Sequence, residues 1–106
     1  MSTISEGGQT RVPLPKEQVE LKAALAYVRI SAAEALRRTL SDGRAFGSQY
    51  QGKVAPGASL LLNEEVQQRF GVPAVWDVSW LGPSGEKLEL WLDAQTGAIL
   101  KQELSQ

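Results

Sequence analysis

Two short stretches of this sequence place catalytic or ligand-binding residue types at suggestive spacings. Gly47–Val54 fits the G-x-x-x-x-G-K part of a phosphate-binding loop, but Val54 stands where the loop needs a hydroxyl for Mg²⁺. Pro56 also disfavours the helix that must follow such a loop. Ser84–Lys87 fits S-x-x-K, whose catalytic form requires a buried helix start, whereas this stretch reads as a turn. Neither stretch therefore predicts a nucleotide site or a serine nucleophile.

The residue types that most often carry catalysis near neutral pH are missing. The 106 residues contain no histidine and no cysteine, which excludes the histidine-based triads and the thiolate metal sites. Glu64 and Glu65 are adjacent, so on a helix they point in different directions and cannot act as an acid–base pair. Asp93 and its neighbours offer too few oxygen ligands for a hard metal ion. We therefore expect that the protein is not an enzyme and that it has neither a cofactor nor a metal site.

Length, charge and the distribution of apolar residues exclude further classes of protein. A chain of 106 residues is enough for one domain. A formal net charge of −1 argues against nucleic-acid binding, which normally needs a basic excess. No apolar run approaches the roughly 18 residues that span a membrane. The first dozen residues lack the apolar core of a signal peptide, so the chain is either made without one or has been trimmed.

Helical signals dominate the first half. We predict a flexible tail over residues 1–14 and a single domain over 15–106. Lys16–Arg29 is rich in helix formers, although its apolar residues also alternate as in a strand. Ser31–Ser41 is the main predicted helix, because Ser31 and Glu34 form a capping box and Asp42-Gly43 supplies a stop.

Alternating patterns dominate the second half. A first strand is expected around Gln49–Val54, followed by a short helix over Asn63–Phe70, which has a good N-cap and ends at glycine. Three strands joined by short turns complete the chain. They are predicted over Ala74–Leu81, Glu86–Asp93 and Ala98–Leu104, with Leu88, Leu90, Leu92, Leu100 and Leu104 facing inward. The predicted fold is α+β: an antiparallel meander of three to four strands packed against one main helix, with an extra N-terminal helix and a short inserted helix.

The tryptophans divide between the two faces of this sheet. Trp76 and Trp80 alternate onto the core face. Trp91 lies on the opposite face from the inward leucines, where an exposed tryptophan would be a typical binding residue. The hypothetical docking surface consists of Trp91, Lys87, Glu89, Lys101 and Ile99. The alternative is that the inserted helix or the N-terminal segment covers Trp91.

The turn between the last two strands has its own signature. Asp93 and Thr96 can accept hydrogen bonds from nearby backbone amides, and Gly97 can adopt positive φ. These residues are predicted to build a hairpin turn rather than a reactive site. With Ile99 and Leu100, they make an Asp-Ala-x-Thr-Gly-x-Ile-Leu ending that resembles the ending of PepSY domains. The resemblance extends over about 30–100, from a helix opening at Ile30 through the closing strands.

The resemblance implies a non-enzymatic module, of bacterial type and mostly extracytoplasmic. PepSY domains occur in the propeptides of secreted metallopeptidases, and restraint of a peptidase or binding of an envelope protein is the function expected from the resemblance. The same resemblance implies a secreted or periplasmic location. Two alternatives remain open: a structural domain that self-associates as a homodimer, and a carrier of a small apolar ligand lined by the tryptophans.

Overall fold

The computed structural model describes residues 15–106, with side chains from residue 21 onward, so the tail predicted for residues 1–14 lies outside the described residues. Within this part of the chain, helices and strands follow the predicted order. They are α1 (Pro15–Tyr27), α2 (Ala32–Arg38), α3 (Leu40–Gly47), a 3₁₀ turn (Ser48–Tyr50), β1 (Ala55–Leu61), α4 (Glu64–Phe70), β2 (Val75–Leu81), β3 (Lys87–Asp93) and β4 (Ile99–Ser105).

The four strands form one antiparallel sheet in the order β1-β2-β3-β4. The α+β fold and the three-strand meander are therefore confirmed, with each meander strand starting one residue later than predicted. The helical reading of the first segment is confirmed as α1, against the strand alternative. Among the apolar side chains of this helix, Ala24 is buried, whereas Leu21 and Leu25 are exposed.

The predicted first strand is misplaced. The stretch Gln49–Val54 starts in the 3₁₀ turn and then passes through Gln51 and Gly52, whose φ angles of 58° and 77° reverse the chain. Strand β1 begins only at Ala55, which pairs with Leu81 of β2. Pro56 is compatible with this strand because β1 lies at the edge of the sheet.

The main predicted helix, Ser31–Ser41, is in fact two helices, α2 and α3, which together extend to Gly47. Ser31 caps α2 as expected, its hydroxyl accepting a hydrogen bond from the Glu34 amide at 3.1 Å. The break comes at Thr39, and α3 then continues through the predicted stop at Asp42-Gly43 to Gly47. Thr39 is fully buried, and its hydroxyl donates to the Leu36 carbonyl at 2.9 Å.

The inserted helix α4 follows its sequence signals closely. The Asn63 side chain accepts a hydrogen bond from the Val66 amide at 2.8 Å, which satisfies one free donor at the helix start. Gly71 ends the helix with φ 74°, a left-handed conformation that glycine adopts without strain. The helix connects β1 to β2 and packs on the sheet through its Val66 and Phe70 side chains.

The sheet carries a hydrophobic cluster on each face. The larger one lies between the sheet and helices α2 and α3, and it comprises Ala35, Phe46, Val78, Trp80, Leu88, Leu90 and Leu92. The smaller one lies beneath α4 and comprises Val66, Val75 and Trp91, with Phe70 packed against it. Both faces of the central strands are therefore covered, one by α2 and α3 and the other by α4.

Candidate functional site

Trp91 lies on the sheet face predicted for it, but it is not exposed. Its side chain is only 5 % exposed. The ring of Phe70, on α4, stacks on the indole with 6.0 Å between ring centroids and 28° between planes. The expectation of an exposed Trp91 is therefore wrong, because the inserted helix covers it, as the alternative reading of the sequence allowed. A partner cannot contact the indole face while α4 is in place.

Two cations flank the buried indole. The Arg69 guanidinium lies 5.8 Å from the ring centroid and the Lys101 ammonium lies 5.4 Å from it. At these distances the negative face of an aromatic ring attracts a cation. Because Arg69 belongs to α4 and Lys101 to β4, the two contacts join the helix to the last strand across the ring of Trp91.

A pair of carboxyl groups lies beside Trp91 on the same face. Asp77 is directly opposite Trp91 in the β2–β3 register, and Glu89 is diagonal to it. One oxygen of Asp77 is sealed from solvent without a hydrogen-bond partner. Desolvation, and then the hydrogen bond and negative charge of Glu89, raise the pKa of Asp77 to about 7, against the opposing charges of Lys87 and Arg69. Protonation of Asp77 removes the repulsion and lets it donate to Glu89.

Stability should consequently fall as the pH rises through this range. The folded chain holds a proton on Asp77 that the unfolded chain releases near its ordinary pKa of 3.8, so the stabilisation is complete below about pH 4 and is lost as the pH rises to about 7. Asp77→Asn mimics the protonated acid. It should match the wild type at pH 4 and exceed it by about 1 kcal/mol at pH 8, a modest figure because solvent screens the partly buried group.

Urea unfolding between pH 4 and pH 8 checks this prediction, and the absence of histidine from the chain keeps imidazole titration out of the profile. Glu103→Gln controls for the loss of one negative charge on the same face. A variant Asp77→Asn that is less stable than the wild type at pH 8 would show that the carboxylate is needed in its charged form.

The other residues of the hypothetical docking surface do not all meet. Lys101 pairs with Trp91 across β3 and β4, and the Lys87 ammonium lies 3.3 Å from the carboxylate of Glu89, so these four side chains share one face. Ile99 does not belong with them. It opposes Leu92, and therefore lies on the face covered by α2 and α3, because a bulge between Trp91 and Leu92 shifts the register of β4. Binding of a partner by these residues remains a prediction.

The β3–β4 turn is closed by the residues singled out from the sequence. The Asp93 carboxylate accepts a hydrogen bond from the Gln95 amide at 2.8 Å, and the Thr96 hydroxyl accepts one from the Ala98 amide at 3.2 Å. Gly97 has φ 80°. The second oxygen of Asp93 accepts a hydrogen bond from the Tyr27 hydroxyl at 2.9 Å, a long-range contact that no local pattern indicates. This turn therefore also fixes the end of α1.

The other two tryptophans are held by hydrogen bonds within the domain. The Trp76 indole donates to the Ile30 carbonyl at 3.0 Å, and the Trp80 indole donates to the Thr39 hydroxyl at 3.0 Å. Trp80 is buried in the larger cluster, which Trp76 also contacts. Together with the stacking of Trp91, these contacts give each indole a structural partner inside the domain.

The most exposed apolar surface of the sheet lies on β4 instead. Leu100 and Leu104 were expected to face inward, but they are 39 % and 61 % exposed, and Ile99 is 43 % exposed. Leu104 is opposite Leu88 and therefore lies on the predicted face of the sheet. However, α2 packs over β1 and β2, near the edge of the sheet that is farthest from β4. We call Ile99, Leu100 and Leu104 the β4 apolar strip. Sequence alternation placed Leu104 on the correct face, but it placed Ile99 on the wrong one and did not indicate where the helix layer ends.

Comparison of the chain with family models, with curated proteins and with solved structures finds no match in any of the three. The resemblance to PepSY domains therefore stays a prediction. In the described residues 15–106, no helix has both the length and the apolar character to cross a bilayer. The same part of the chain brings no three acidic, histidine or cysteine side chains together in a group that could hold a metal ion.

Proposed function

We propose that this chain is a non-catalytic protein-interaction domain that binds its partner along the open edge of β4. The observation that carries the proposal is the β4 apolar strip, which lies on an edge strand. An edge strand leaves alternate backbone amides and carbonyls without partners in the sheet. Partners use such edges by adding a strand, in which main-chain hydrogen bonds give affinity and alternate side chains give specificity.

The apolar strip adds to the attraction of the free backbone. Large apolar side chains that cluster on an exposed surface mark interaction sites more often than isolated ones do. Leu104 lies opposite Leu88, and Ile99 lies opposite Leu92, two of the core leucines on β3. An added strand would therefore extend the larger hydrophobic cluster sideways. The partner surface is therefore expected to be an extended segment with apolar residues on one side.

Lys101 and Ile99, both on β4, are the members of the hypothetical docking surface that this proposal retains. Lys101 lies on the face opposite Leu104, and its ammonium lies over the ring of Trp91. A strand bound to β4 would pass directly beside it. Trp91 itself does not contact the partner in this proposal. Its buried ring packs against Phe70 of α4 and Lys101 of β4 and so helps to position both elements.

A peptidase or an envelope protein is the class of partner that we propose from the PepSY resemblance. The test is affinity capture from secreted and envelope extracts with the immobilised domain, with mass spectrometry of the bound proteins and peptidase assays before and after. The matched variants are Leu104→Lys, in the β4 apolar strip, and Leu81→Lys, at the end of β2. Both replace an exposed leucine, 61 % and 48 % exposed respectively.

We expect Leu104→Lys to lower partner recovery about tenfold or more, as loss of roughly 1.4 kcal/mol of binding free energy would. Leu81→Lys should recover as much as the wild type. Recovery that is equal in both variants would overturn the assignment of the β4 edge. A bound peptidase whose activity falls with the wild type but not with Leu104→Lys would support the inhibitory role, and unchanged activity would exclude it for that enzyme.

A further inference from the structure

Strand β4 has a sequence that is complementary to itself. Its central residues read Leu100, Lys101, Gln102, Glu103 and Leu104, with opposite charges and equal leucines placed symmetrically about Gln102. When two copies of this strand run antiparallel with Gln102 opposite Gln102, each Lys101 faces a Glu103 of the second copy. Each Leu100 then faces a Leu104 in the same way. Opposite charges and apolar pairs directly across two strands stabilise their pairing.

The two edges of the sheet differ in how open they are. At the β1 edge, Pro56 lacks an amide hydrogen and Gly57 lacks a side chain, and both features discourage pairing with another strand. The β4 edge, from Ile99 to Ser105, contains neither proline nor glycine. The edge that is open to a further strand is thus the one with the self-complementary sequence.

The pleat of β4 places the matching side chains on the correct sides. Gln102 and Leu104 oppose Leu90 and Leu88, on the face covered by α2 and α3. Leu100 is the additional residue at the bulge, between Ile99 and Lys101. Lys101 and Glu103 lie on the α4 face, where their charged groups are 3.9 Å apart within one copy.

We propose that two copies of this chain pair through β4, antiparallel and centred on Gln102, to form one continuous eight-stranded sheet. This inference rests on the proposed use of the β4 edge for binding, and it names a second copy as the occupant; a peptidase or an envelope protein bound at the same edge would compete with that copy. The two-fold axis runs through the sheet at Gln102, so α2 and α3 of both copies cover one face and α4 of both copies covers the other. Gln102 and Leu104 of both copies lie on the first of these faces.

The charges select this register over its neighbours. A slip of two residues in one direction places Lys101 opposite Lys101, and a slip in the other direction places Glu103 opposite Glu103. Like charges directly across two strands are destabilising. Each slip also separates all the leucine pairs and places one of the two leucines opposite Gln102. The central register is therefore the one that satisfies both the charges and the apolar pairs.

Charge exchange provides the test. In Lys101→Glu, two copies would bring glutamates together, and in Glu103→Lys two copies would bring lysines together. A mixture of the two variants restores an attractive pair at both positions. We expect sedimentation velocity to show a concentration-dependent dimer for the wild type, at least about tenfold weaker dimerisation for each variant alone, and recovery of the dimer in the equimolar mixture.

Circular dichroism and urea unfolding of each variant alone establish that it is folded. Variants that fail to fold would be replaced by a measurement on the wild type: amide hydrogen exchange should slow with protein concentration in β4 and stay unchanged in β1. Gln102→Cys gives a second check on the register, because the chain has no other cysteine. It should oxidise readily to a covalent dimer, whereas Ser59→Cys, exposed on β1, should not.

The outcomes separate this inference from the proposed function. A wild type that stays monomeric at all concentrations, or a mixture that shows no more dimer than its components, overturns pairing of two copies. If the Leu104→Lys variant nevertheless loses a captured partner, the β4 edge still binds protein and the proposed function stands. A wild-type dimer that both charge variants retain in full overturns the β4 interface.

Discussion

Replacing Trp91 with alanine is expected to lower the free energy of unfolding by about 3–5 kcal/mol, the usual cost of removing a large buried aromatic side chain. Trp91 is nearly fully buried between β3 and α4, where Phe70 stacks on its ring. Arg69 and Lys101 also lose their aromatic partner. Because α4 has only seven residues, loss of the largest side chain beneath it should weaken the packing of this helix on the sheet.

Far-UV circular dichroism during urea unfolding measures the loss without depending on tryptophan fluorescence. Trp91→Phe is the matched control, since it keeps an aromatic ring for Phe70 and the two cations, and it should cost less than half as much as alanine. A loss below about 1 kcal/mol in Trp91→Ala would show that α4 does not cover the ring in solution, and would return Trp91 to the exposed surface. Weakened binding in this variant has to be corrected for unfolding before it is assigned to contact with a partner.

The case of Trp91 shows what local periodicity can and cannot predict. Alternation along β3 correctly separates Trp91 from Leu90 and Leu92, since successive side chains of a strand point to opposite faces. Whether a face is covered depends on an element about twenty residues away in the chain. A signal for that cover is present in α4, where Val66 and Phe70 are four residues apart and share one side of the helix.

Other errors have similarly definite causes. The bulge in β4 inserts one residue into the pairing with β3, which separates Ile99 from the side chains of the Trp91 face. Simple alternation contains no sign of such an insertion. Strand β1 was missed because Pro56 and Gly57 are typical of turns, and only its position at the sheet edge permits them.

The signals for helix starts were reliable, because they are local. Ser31 and Asn63 both accept the backbone hydrogen bond that their position predicts, and Gly71 has the left-handed conformation that ends a helix. Gly43 gave the opposite result. The sequence Asp42-Gly43 predicted the end of a helix, yet Gly43 lies inside α3. The reason for glycine at this position is therefore to be sought in packing rather than in backbone conformation.

Replacing Gly43 with alanine is expected to destabilise the protein by about 3 kcal/mol, at the upper end of what an overfilled core costs. A Cβ atom built at Gly43 would lie 2.5 Å from Cδ2 of Trp80, well inside van der Waals contact. The indole cannot easily retreat, because Trp80 is 6 % exposed and its N–H is bonded to the buried Thr39 hydroxyl. Either α3 or the ring has to shift.

The sign of this effect distinguishes packing from helix propensity. In the interior of a helix, alanine is normally more stable than glycine by about 1 kcal/mol, so a glycine without a packing role would be improved by the change. Gly57→Ala is the matched control, since a Cβ atom added there would meet no atom within 4 Å and its φ is not left-handed. Urea unfolding should show a large loss for Gly43→Ala and little change for Gly57→Ala. A stabilised Gly43→Ala would mean that Trp80 does not pack against α3, and that the contact between helix and sheet is looser than the buried indole implies.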